Sequence, residues 1–247
     1  MPENYQDIVI LKTNGIPTYH FAHVVDDHLM GITHVVRGEE WLSTLPIHYE
    51  IFKTIGWETP VYCHTAHLMK MDNGAKRKLS KRKDPELGLG YYRELGYHPK
   101  AVREYLLTIL NSNFEEWRMK NPENPIDDFQ FTLGKMSNSG ALFDLDKLNN
   151  ICKDVLLKIP AAEIYEFLLN WANEYKKEAY ELLKSNKDEV IKLLSVGRDG
   201  NNPRKDLMYC EQILDFISYY FDEYFKIVDS YPENIDSEKL KNFLKLT

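Results

Sequence analysis

Short apolar runs alternate with segments of helical spacing over the first sixty or so residues, and this alternation restricts the fold more than any other feature. Thr18 to Met30 has helical spacing, Gly31 stands where that helix would stop, and a second helix is expected from Gly38 to about Gly56. The strand candidates are residues 8–11, ended by the turn pair Asn14-Gly15, residues 32–36 and residues 61–63. Strand, helix, strand, helix, strand is the order of an open parallel α/β sheet, of which three strands make only a part.

The later part of the chain is almost purely helical in pattern. Helices are expected after Pro99, Pro160 and Pro203, each with apolar residues three and four positions apart. Their aromatic residues are interpreted as core rather than as a cofactor site. The sequence therefore predicts an α/β fold with a partial Rossmann-type parallel sheet, followed by a mostly α-helical region.

Composition restricts the function classes. The 247 residues carry 31 Lys and Arg against 38 Asp and Glu, a net charge of −7, which argues against a general polyanion binder. The three cysteines, Cys63, Cys152 and Cys210, form no Cys-x-x-Cys pair, so neither a disulfide scaffold nor a thiolate zinc site is expected. No apolar run approaches the ~18 residues of a membrane helix. A reduced, cytoplasmic protein with no membrane partner is the prediction.

A basic segment interrupts this acidic chain. Residues 70–83 hold seven Lys and Arg side chains against one acid, Asp72, with Asn73-Gly74 expected to form a mobile turn. A charge run alone is most often a solvated loop. The core of this one, Lys78-Leu79-Ser80-Lys81-Arg82, places ammonium groups beside a hydroxyl on a loop that follows a strand, and such groups can clamp a triphosphate.

That core resembles the lysine-serine-lysine signature loop of class I aminoacyl-tRNA synthetases, and its surroundings resemble the glutamyl-tRNA synthetase family. The matching blocks are residues 15–22 (GIPTYHFA), 24–30 (VVDDHLM), 32–41 (ITHVVRGEEW), 91–97 (YYRELGY) and 140–148 (GALFDLDKL). Ordered blocks at compatible spacing are far more specific than the short loop alone. The resemblance is strong from about Asp7 to Leu148 and only fold-like beyond.

The resemblance implies a glutamate pocket formed by Tyr19, His23 and Arg37. Arg37 would hold the substrate carboxylate, since a guanidinium at the carboxyl end of a parallel strand can pair bidentately with a carboxylate. The alternative for Arg37 is a structural ion pair with Glu39 or Glu40. His23 stands where many family members have Asn, a departure that bears on amino-acid specificity.

The resemblance also implies an ATP site. Glu40 and Trp41 would lie near the ribose and adenine, and Leu68 would present backbone groups to the adenine. Lys78, Ser80 and Lys81 would contact the phosphates as the catalytic group, with Lys81 the transition-state contact. ATP with Mg is then a substrate, bound only together with the missing half or weakly, and no resident metal is implied.

Helical spacing also brings His20, His23 and Asp27 to one face of a helix, an arrangement that can bind zinc. It departs from known zinc signatures, and histidines with hydrogen-bond partners are the better interpretation. No metal site is therefore predicted.

One part of the family pattern is missing from these 247 residues. Class I synthetases hold the ATP phosphates with a second motif, His-Ile-Gly-His or a near variant, and the sequence contains none. The resemblance therefore implies residues 1–74 as the C-terminal half of a nucleotide-binding catalytic domain. Residues 75–158 would be the signature loop and a stem-contact helical domain, and residues 159–247 an incomplete anticodon-side helical domain.

The function implied is that of a segment of a glutamate–tRNA ligase, which activates L-glutamate with ATP and transfers it to tRNA(Glu). Alone the segment is expected to be inactive. In one arrangement that the resemblance allows, a separate chain supplies the N-terminal half. The alternatives are a non-catalytic tRNA-binding module, a degenerate remnant and, ranked last, a ligase that glutamylates another acceptor.

Overall fold

The computed structural model describes residues 3–136, 140–198 and 203–225. The elements up to residue 95 are α1 (Tyr19–Leu29), β1 (His34–Gly38), α2 (Leu45–Ile55), β2 (Val61–Thr65), β3 (Leu68–Asp72), β4 (Ala75–Lys78) and α3 (Leu89–Leu95). The later elements are α4 (Pro99–Leu110), α5 (Phe114–Lys120), β5 (Ala141–Leu142), α6 (Leu145–Lys158), α7 (Ala161–Tyr175), α8 (Lys177–Ser185), α9 (Lys187–Ser195) and α10 (Ile213–Ile217). An α/β region followed by a mostly helical one is confirmed.

The described residues form two compact units. One holds the residues up to Tyr92 together with Pro99–Ile151, and the other holds Arg93–His98 together with the residues from Cys152 onward. The proposed division of the chain at residues 74/75 and 158/159 stays a prediction. Residues 226–247, which fall in its third part, lie outside the described residues. No helix in the described part of the chain is long and apolar enough to cross a membrane.

The first unit is built on two small sheets. β1 and β2 pair in parallel, with Arg37 opposite His64 and Gly38 opposite Thr65. β3 pairs antiparallel with β4 and parallel with β5. Parallel pairing is the expected result of a strand–helix–strand connection, and it brings the carboxyl ends of β1 and β2 to the same edge.

α1 and α2 pack together and supply the core beside the β1–β2 sheet. Their buried apolar side chains are Val24, Ile47, Ile51 and Phe52. Gly56 ends α2 with a φ of 83°, a left-handed conformation that glycine adopts without strain. The helix predicted from Gly38 begins instead as a 3-10 helix over Glu39–Thr44, and the α-helix starts only at Leu45. Pro46 sits in the first α-helical turn, where its missing N–H costs least.

Residues 8–11 do not form the predicted strand. Leu11 makes only an isolated bridge with Pro17, across a short turn closed by Gly15. The alternate residues Ile8 and Ile10 instead pack against the α1–α2 core. Packing on the helices, rather than membership of a strand, therefore accounts for the apolar residues of this segment.

The second unit is helical. Its core combines side chains from α7, α8, α9 and α10, among them Leu168, Trp171, Leu183, Val190 and Ile217. The Tyr165 hydroxyl donates to the Leu183 carbonyl at 3.1 Å, so this buried phenol has a partner.

The helix predicted directly after Pro203 begins later. Tyr209 makes a bridge with Tyr97, and the Cys210 amide donates to the Gly96 carbonyl at 3.1 Å. This backbone pairing holds the chain extended, so helical structure starts only at Cys210 and α10 is short. Tertiary pairing here overrides a helical pattern in the sequence.

Gly96 offers a test of this pairing. Its φ is 76°, and a Cβ there would lie 2.4 Å from the Cys210 Cβ and 2.9 Å from the Trp171 ring. Gly96→Ala is expected to lower the free energy of unfolding by about 2–4 kcal/mol, because backbone strain adds to a clash in a packed core. Gly31→Ala, with φ of 66° and open space around the new methyl, is the control and should cost about 1 kcal/mol. If urea unfolding shows equal losses of stability in the two variants, the close approach of Gly96 to Cys210 and Trp171 is contradicted.

Candidate active site

Arg37 lies at the carboxyl end of β1 and is half-buried. Its Nε donates to His64 Nε2 at 3.1 Å, its Nη1 to His48 Nδ1 at 3.1 Å, and its Nη2 to the Trp41 carbonyl at 3.2 Å. The guanidinium carbon lies 4.8 Å from the centre of the Tyr62 ring. Three different strands or helices therefore hold this one cation, and all of its acceptors are neutral.

No carboxylate in the described part of the chain lies within ion-pair distance of Arg37. The alternative weighed for Arg37, an ion pair with Glu39 or Glu40, is not formed. Those carboxylates turn to His67: the His67 amide donates to Glu39 at 3.1 Å, and a Glu40 oxygen lies 3.4 Å from His67 Nδ1. Burial lowers the pKa of Arg37 below its ordinary value, although the group stays charged at neutral pH.

The guanidinium has five N–H groups, and three have acceptors. One N–H on each terminal nitrogen is therefore left without a partner among the described residues. A half-buried cation with two spare donors and no counter-ion favours an anionic ligand, and a carboxylate matches two N–H groups.

The other two residues predicted for a glutamate pocket lie in the same cluster of rings. Tyr19 is exposed, stacks on His23 at a centroid distance of 5.7 Å, and lies 4.9 Å from the Trp41 ring. His23 Nε2 is 3.2 Å from the Tyr62 hydroxyl. Arg37 therefore has Tyr62 against its face, and Tyr19, His23 and Trp41 border the same cluster.

The side chains of the His20, His23 and Asp27 pattern on α1 contact other side chains of the protein. His23 lies 3.3 Å from Asp27, whereas His20 Nδ1 faces His48 Nε2 at 2.9 Å. Among the described residues, no group of three or more His, Cys, Asp and Glu side chains is arranged to hold a metal ion.

His48, on α2, is fully buried at the centre of this cluster. Burial, followed by repulsion from His23 and Arg37, lowers its pKa to about 3. Burial, followed by the charge of Asp27, raises the pKa of Tyr62 to about 12. At neutral pH His48 and Tyr62 are therefore both uncharged beside the Arg37 cation.

The basic segment contains a two-stranded hairpin. The turn expected at Asn73-Gly74 is present, because β3 and β4 pair antiparallel with Met69 opposite Lys78. Asn73 and Gly74 form its two-residue turn with φ of 49° and 81°, the left-handed values typical of an Asn-Gly hairpin. The strand ladder pairs both arms of this hairpin.

Asp84 ties the signature turn to the hairpin. Its carboxylate is 1% exposed, accepts two hydrogen bonds of 2.7 Å from the Arg77 guanidinium, and accepts the Ser80 amide at 2.8 Å. The Ser80 carbonyl in turn accepts the amides of Lys83 and Asp84. The Arg77 guanidinium, followed by the Ser80 amide, holds the pKa of Asp84 well below its usual range. Ser80 is therefore fixed by a buried, ionised carboxylate.

Acidic residues neutralise part of the basic segment. Arg77 pairs with Asp72 as well as Asp84, and Lys70 pairs with Glu86, which is buried. Because Asp84 and Glu86 follow the segment in sequence, a charge count over residues 70–83 overstates its free positive charge. Lys70 and Arg77 are thereby held by carboxylates, whereas the other cations of the segment have no carboxylate partner among the described residues.

Lys78 and Glu40 both approach His67. The Lys78 ammonium lies 3.2 Å from His67 Nε2, and Glu40 lies near the other ring nitrogen. Leu68 directly follows that histidine, and its carbonyl accepts the Leu79 amide at 3.0 Å. Lys81 is exposed and has no partner in the described ranges. The predicted phosphate and nucleotide residues thus occupy the β3–β4 hairpin, the turn that follows it and the segment after β1.

Sequence reasoning missed four side chains: His48, Tyr62, His64 and His67. The parallel register of β1 and β2 would have identified His64, because it stands directly opposite Arg37 on the neighbouring strand. His48 required knowledge of how α1 packs on α2, which the apolar spacing does not give.

Comparison with known proteins decides the family. The family model of class I tRNA synthetases (E and Q), catalytic domain, matches residues 1–150. The chain belongs to this family. The glutamate–tRNA ligase of Acetivibrio thermocellus is 75% identical over 245 residues, which are 99% of this chain and 45% of that ligase. The glutamate–tRNA ligase of Clostridium perfringens strain 13 is 52% identical over 224 residues, 91% of this chain and 41% of that ligase.

Solved structures agree with this family. The crystal structure of the glutamate–tRNA synthetase from Elizabethkingia anophelis has a TM-score of 0.67 and 25% identity, over 96% of this chain and 46% of that one. The chain thus spans less than half the length of the class I synthetases it matches. The fold of this synthetase family is shown, and the resemblance predicted from the sequence is confirmed.

The role of Asp84 in fixing the signature turn can be tested by proteolysis. Asp84→Asn removes the charge that holds Arg77, so trypsin should cut the Lys81–Arg82 bond several-fold faster than in the parent chain. Asp72→Asn is the matched control, because Asp72 also binds Arg77 but is only partly buried and has no hydrogen bond to Ser80. Mass spectrometry of the early fragments gives the rates. Parent-like cleavage of the Asp84 variant would contradict this role.

The neutral state of His48 predicts a pH dependence. Its pKa is about 3 in the folded chain against 6.5 ordinarily, so below pH 6.5 the unfolded chain binds a proton that the folded chain does not. The contribution of neutral His48 to the free energy of unfolding is therefore complete above that pH. As the pH falls from 7 to 5, about 2 kcal/mol of it should be lost. Urea unfolding of His48→Gln should have a pH dependence that is smaller by this amount. His34→Gln, at an exposed position of β1, is the control; the same pH dependence in both variants would refute the prediction.

Proposed function

We propose that this chain forms the glutamate-binding part, and the signature-loop part of the ATP site, of a glutamate–tRNA ligase. The observation that carries the proposal is Arg37: a half-buried guanidinium with two spare N–H groups and no carboxylate partner in the described chain. The names of the similar ligases support the same substrate.

In this proposal Arg37 binds the side-chain carboxylate of L-glutamate, and Tyr19 and His23 line the pocket. A carboxylate supplies the two acceptors that the spare N–H groups require. Tyr19 is exposed beside this cluster, so it can contact a ligand without rearrangement. His23 stands where the family resemblance implies an amide, and its Nε2 lies 3.2 Å from the Tyr62 hydroxyl.

The nucleotide is assigned to the hairpin. Lys78, Ser80 and Lys81 would contact the phosphates of Mg-ATP, a substrate here, while Glu40, Trp41 and Leu68 would contact the ribose and adenine. Support comes from the fixed Ser80 turn and from the exposed ammonium of Lys81 beside it, which has no partner among the residues that the structure describes. A preorganised cationic group stabilises charge that moves to the leaving pyrophosphate.

The reaction proposed has two steps. A glutamate α-carboxylate oxygen attacks the α-phosphorus of ATP, the bond to the β-phosphate oxygen breaks, and glutamyl-adenylate and pyrophosphate form. The terminal adenosine hydroxyl of tRNA(Glu) then attacks the glutamyl carbonyl and releases AMP. The chain's own contribution would be positioning and charge stabilisation rather than proton transfer.

The β1–β2 sheet supports the need for a complementing segment. Parallel strands are normally covered on both faces, yet Val36 and Val61 are about half exposed. We propose that a segment carrying the second phosphate-binding motif, in the same or a separate chain, packs against this sheet. The 247 residues alone would then not form adenylate.

Glutamate binding tests the central part of the proposal. NMR titration of the chain with L-glutamate should give a weak but saturable site, and Arg37→Lys should weaken it at least about ten-fold, because an ammonium cannot pair bidentately. Arg103→Lys is the control, since Arg103 is an exposed residue paired with Asp127. Parent-like affinity of Arg37→Lys would refute the assignment.

A second experiment concerns catalysis. ATP–pyrophosphate exchange by the isolated 247-residue chain is expected to be absent, and exchange by that chain would refute the proposed need for a complementing segment. Salt-steep tRNA binding without glutamate binding would instead identify a non-catalytic tRNA-binding module. Binding of neither would identify a remnant.

A further inference from the structure

Arg37 determines the hydrogen positions on its neighbours. A guanidinium has donors only, so His48 Nδ1, which lies 3.1 Å from Arg37 Nη1, must be an acceptor without a proton. The proton of neutral His48 is then on Nε2, which lies 2.9 Å from His20 Nδ1 and donates to it. His64 accepts from Arg37 in the same way through its Nε2. Only one tautomer of His48 fits both contacts.

The surroundings of His48 keep it in this state. Its neighbours are His20, His23 and Tyr19 from α1, Arg37 from β1 and Tyr62 from β2, at ring or hydrogen-bond distance. No carboxylate among the described residues lies within ion-pair distance of His48, so a second positive charge beside Arg37 would be unfavourable. Burial acts in the same direction.

We propose that His48 is a positioning residue: as a fixed acceptor it sets the orientation of the Arg37 guanidinium, and thereby makes the site prefer a carboxylate over a carboxamide. This inference rests on the proposed glutamate site. With three N–H groups held by His48, His64 and the Trp41 carbonyl, the two that remain are both donors. A carboxylate offers two acceptors to them, whereas the NH₂ of a carboxamide meets a donor.

Replacement of His48 separates positioning from packing. His48→Leu fills space with apolar atoms but leaves Arg37 Nη1 and His20 Nδ1 without their partner. His48→Asn keeps an acceptor near the position of Nδ1. A residue that only packs would tolerate leucine better than asparagine, and a positioning residue requires the reverse.

The first experiment uses the unmodified chain. Long-range ¹H–¹⁵N NMR should find His48 neutral with its proton on Nε2 from pH 7 to pH 5, and the Arg37 Nε–H should exchange slowly with water. A proton on Nδ1, or protonation of His48 above pH 5, would overturn the inference. Because this readout needs no ligand, it decides the orientation of Arg37 even if a variant does not fold.

The second experiment compares L-glutamate with L-glutamine by NMR titration. His48→Leu should weaken glutamate binding about ten-fold and bring the two affinities closer together, whereas His48→Asn should stay within about three-fold of the parent. His34→Asn changes an exposed histidine of β1 whose Nδ1 lies 3.0 Å from the Thr33 hydroxyl; it is the control and should behave like the parent. Parental affinities and selectivity in His48→Leu would overturn the inference.

The two proposals fail separately. If the parent chain binds no glutamate, or if Arg37→Lys binds it normally, the proposed function fails and the carboxylate preference falls with it. The His48 tautomer still decides whether His48 holds Arg37. If glutamate binds through Arg37 but His48→Leu leaves affinity and selectivity unchanged, only the inference about His48 fails.

Discussion

The guanidinium of Arg37 is held half-buried at the end of a parallel strand by two imidazoles and a backbone carbonyl, with no carboxylate of the described chain to neutralise it. Other features of the site follow from this arrangement. His48 and His64 have to be neutral acceptors, which is the state that burial and the nearby cation both favour. An anionic ligand would complete the hydrogen bonding of the cation, which is the physical basis for the assignment of glutamate.

A second constraint acts on the basic hairpin. Asp84 and Glu86 are carboxylates buried against it, and each takes up one cation of the segment, Arg77 and Lys70 respectively. The cost of burying a carboxylate is offset where it accepts several charge-assisted hydrogen bonds, as Asp84 does from Arg77 and Ser80. The result is a signature turn with a fixed base and an exposed ammonium at Lys81, a combination suited to a ligand as large as a triphosphate.

Much of this architecture could be predicted from the sequence. Helical spacing gave α1 and the helices after Pro99 and Pro160, and the alternation of elements gave the parallel β1–β2 pair. Two of the errors have a common cause, because each involved a contact distant in sequence. Backbone pairing of Tyr209 with Tyr97 delays the helix after Pro203, and packing on α1 and α2 accounts for the apolar residues 8–11. The partners of Arg37 and Asp84 likewise depend on strand register and hairpin geometry, which composition and spacing do not contain.

A crystal structure of the chain with L-glutamate tests the central claim most directly. The account predicts the side-chain carboxylate of the amino acid within hydrogen-bond distance of both terminal nitrogens of Arg37, with His48 and His64 still bonded to the guanidinium. Glutamate bound at another place, or a guanidinium turned to a carboxylate of the protein itself, would contradict it.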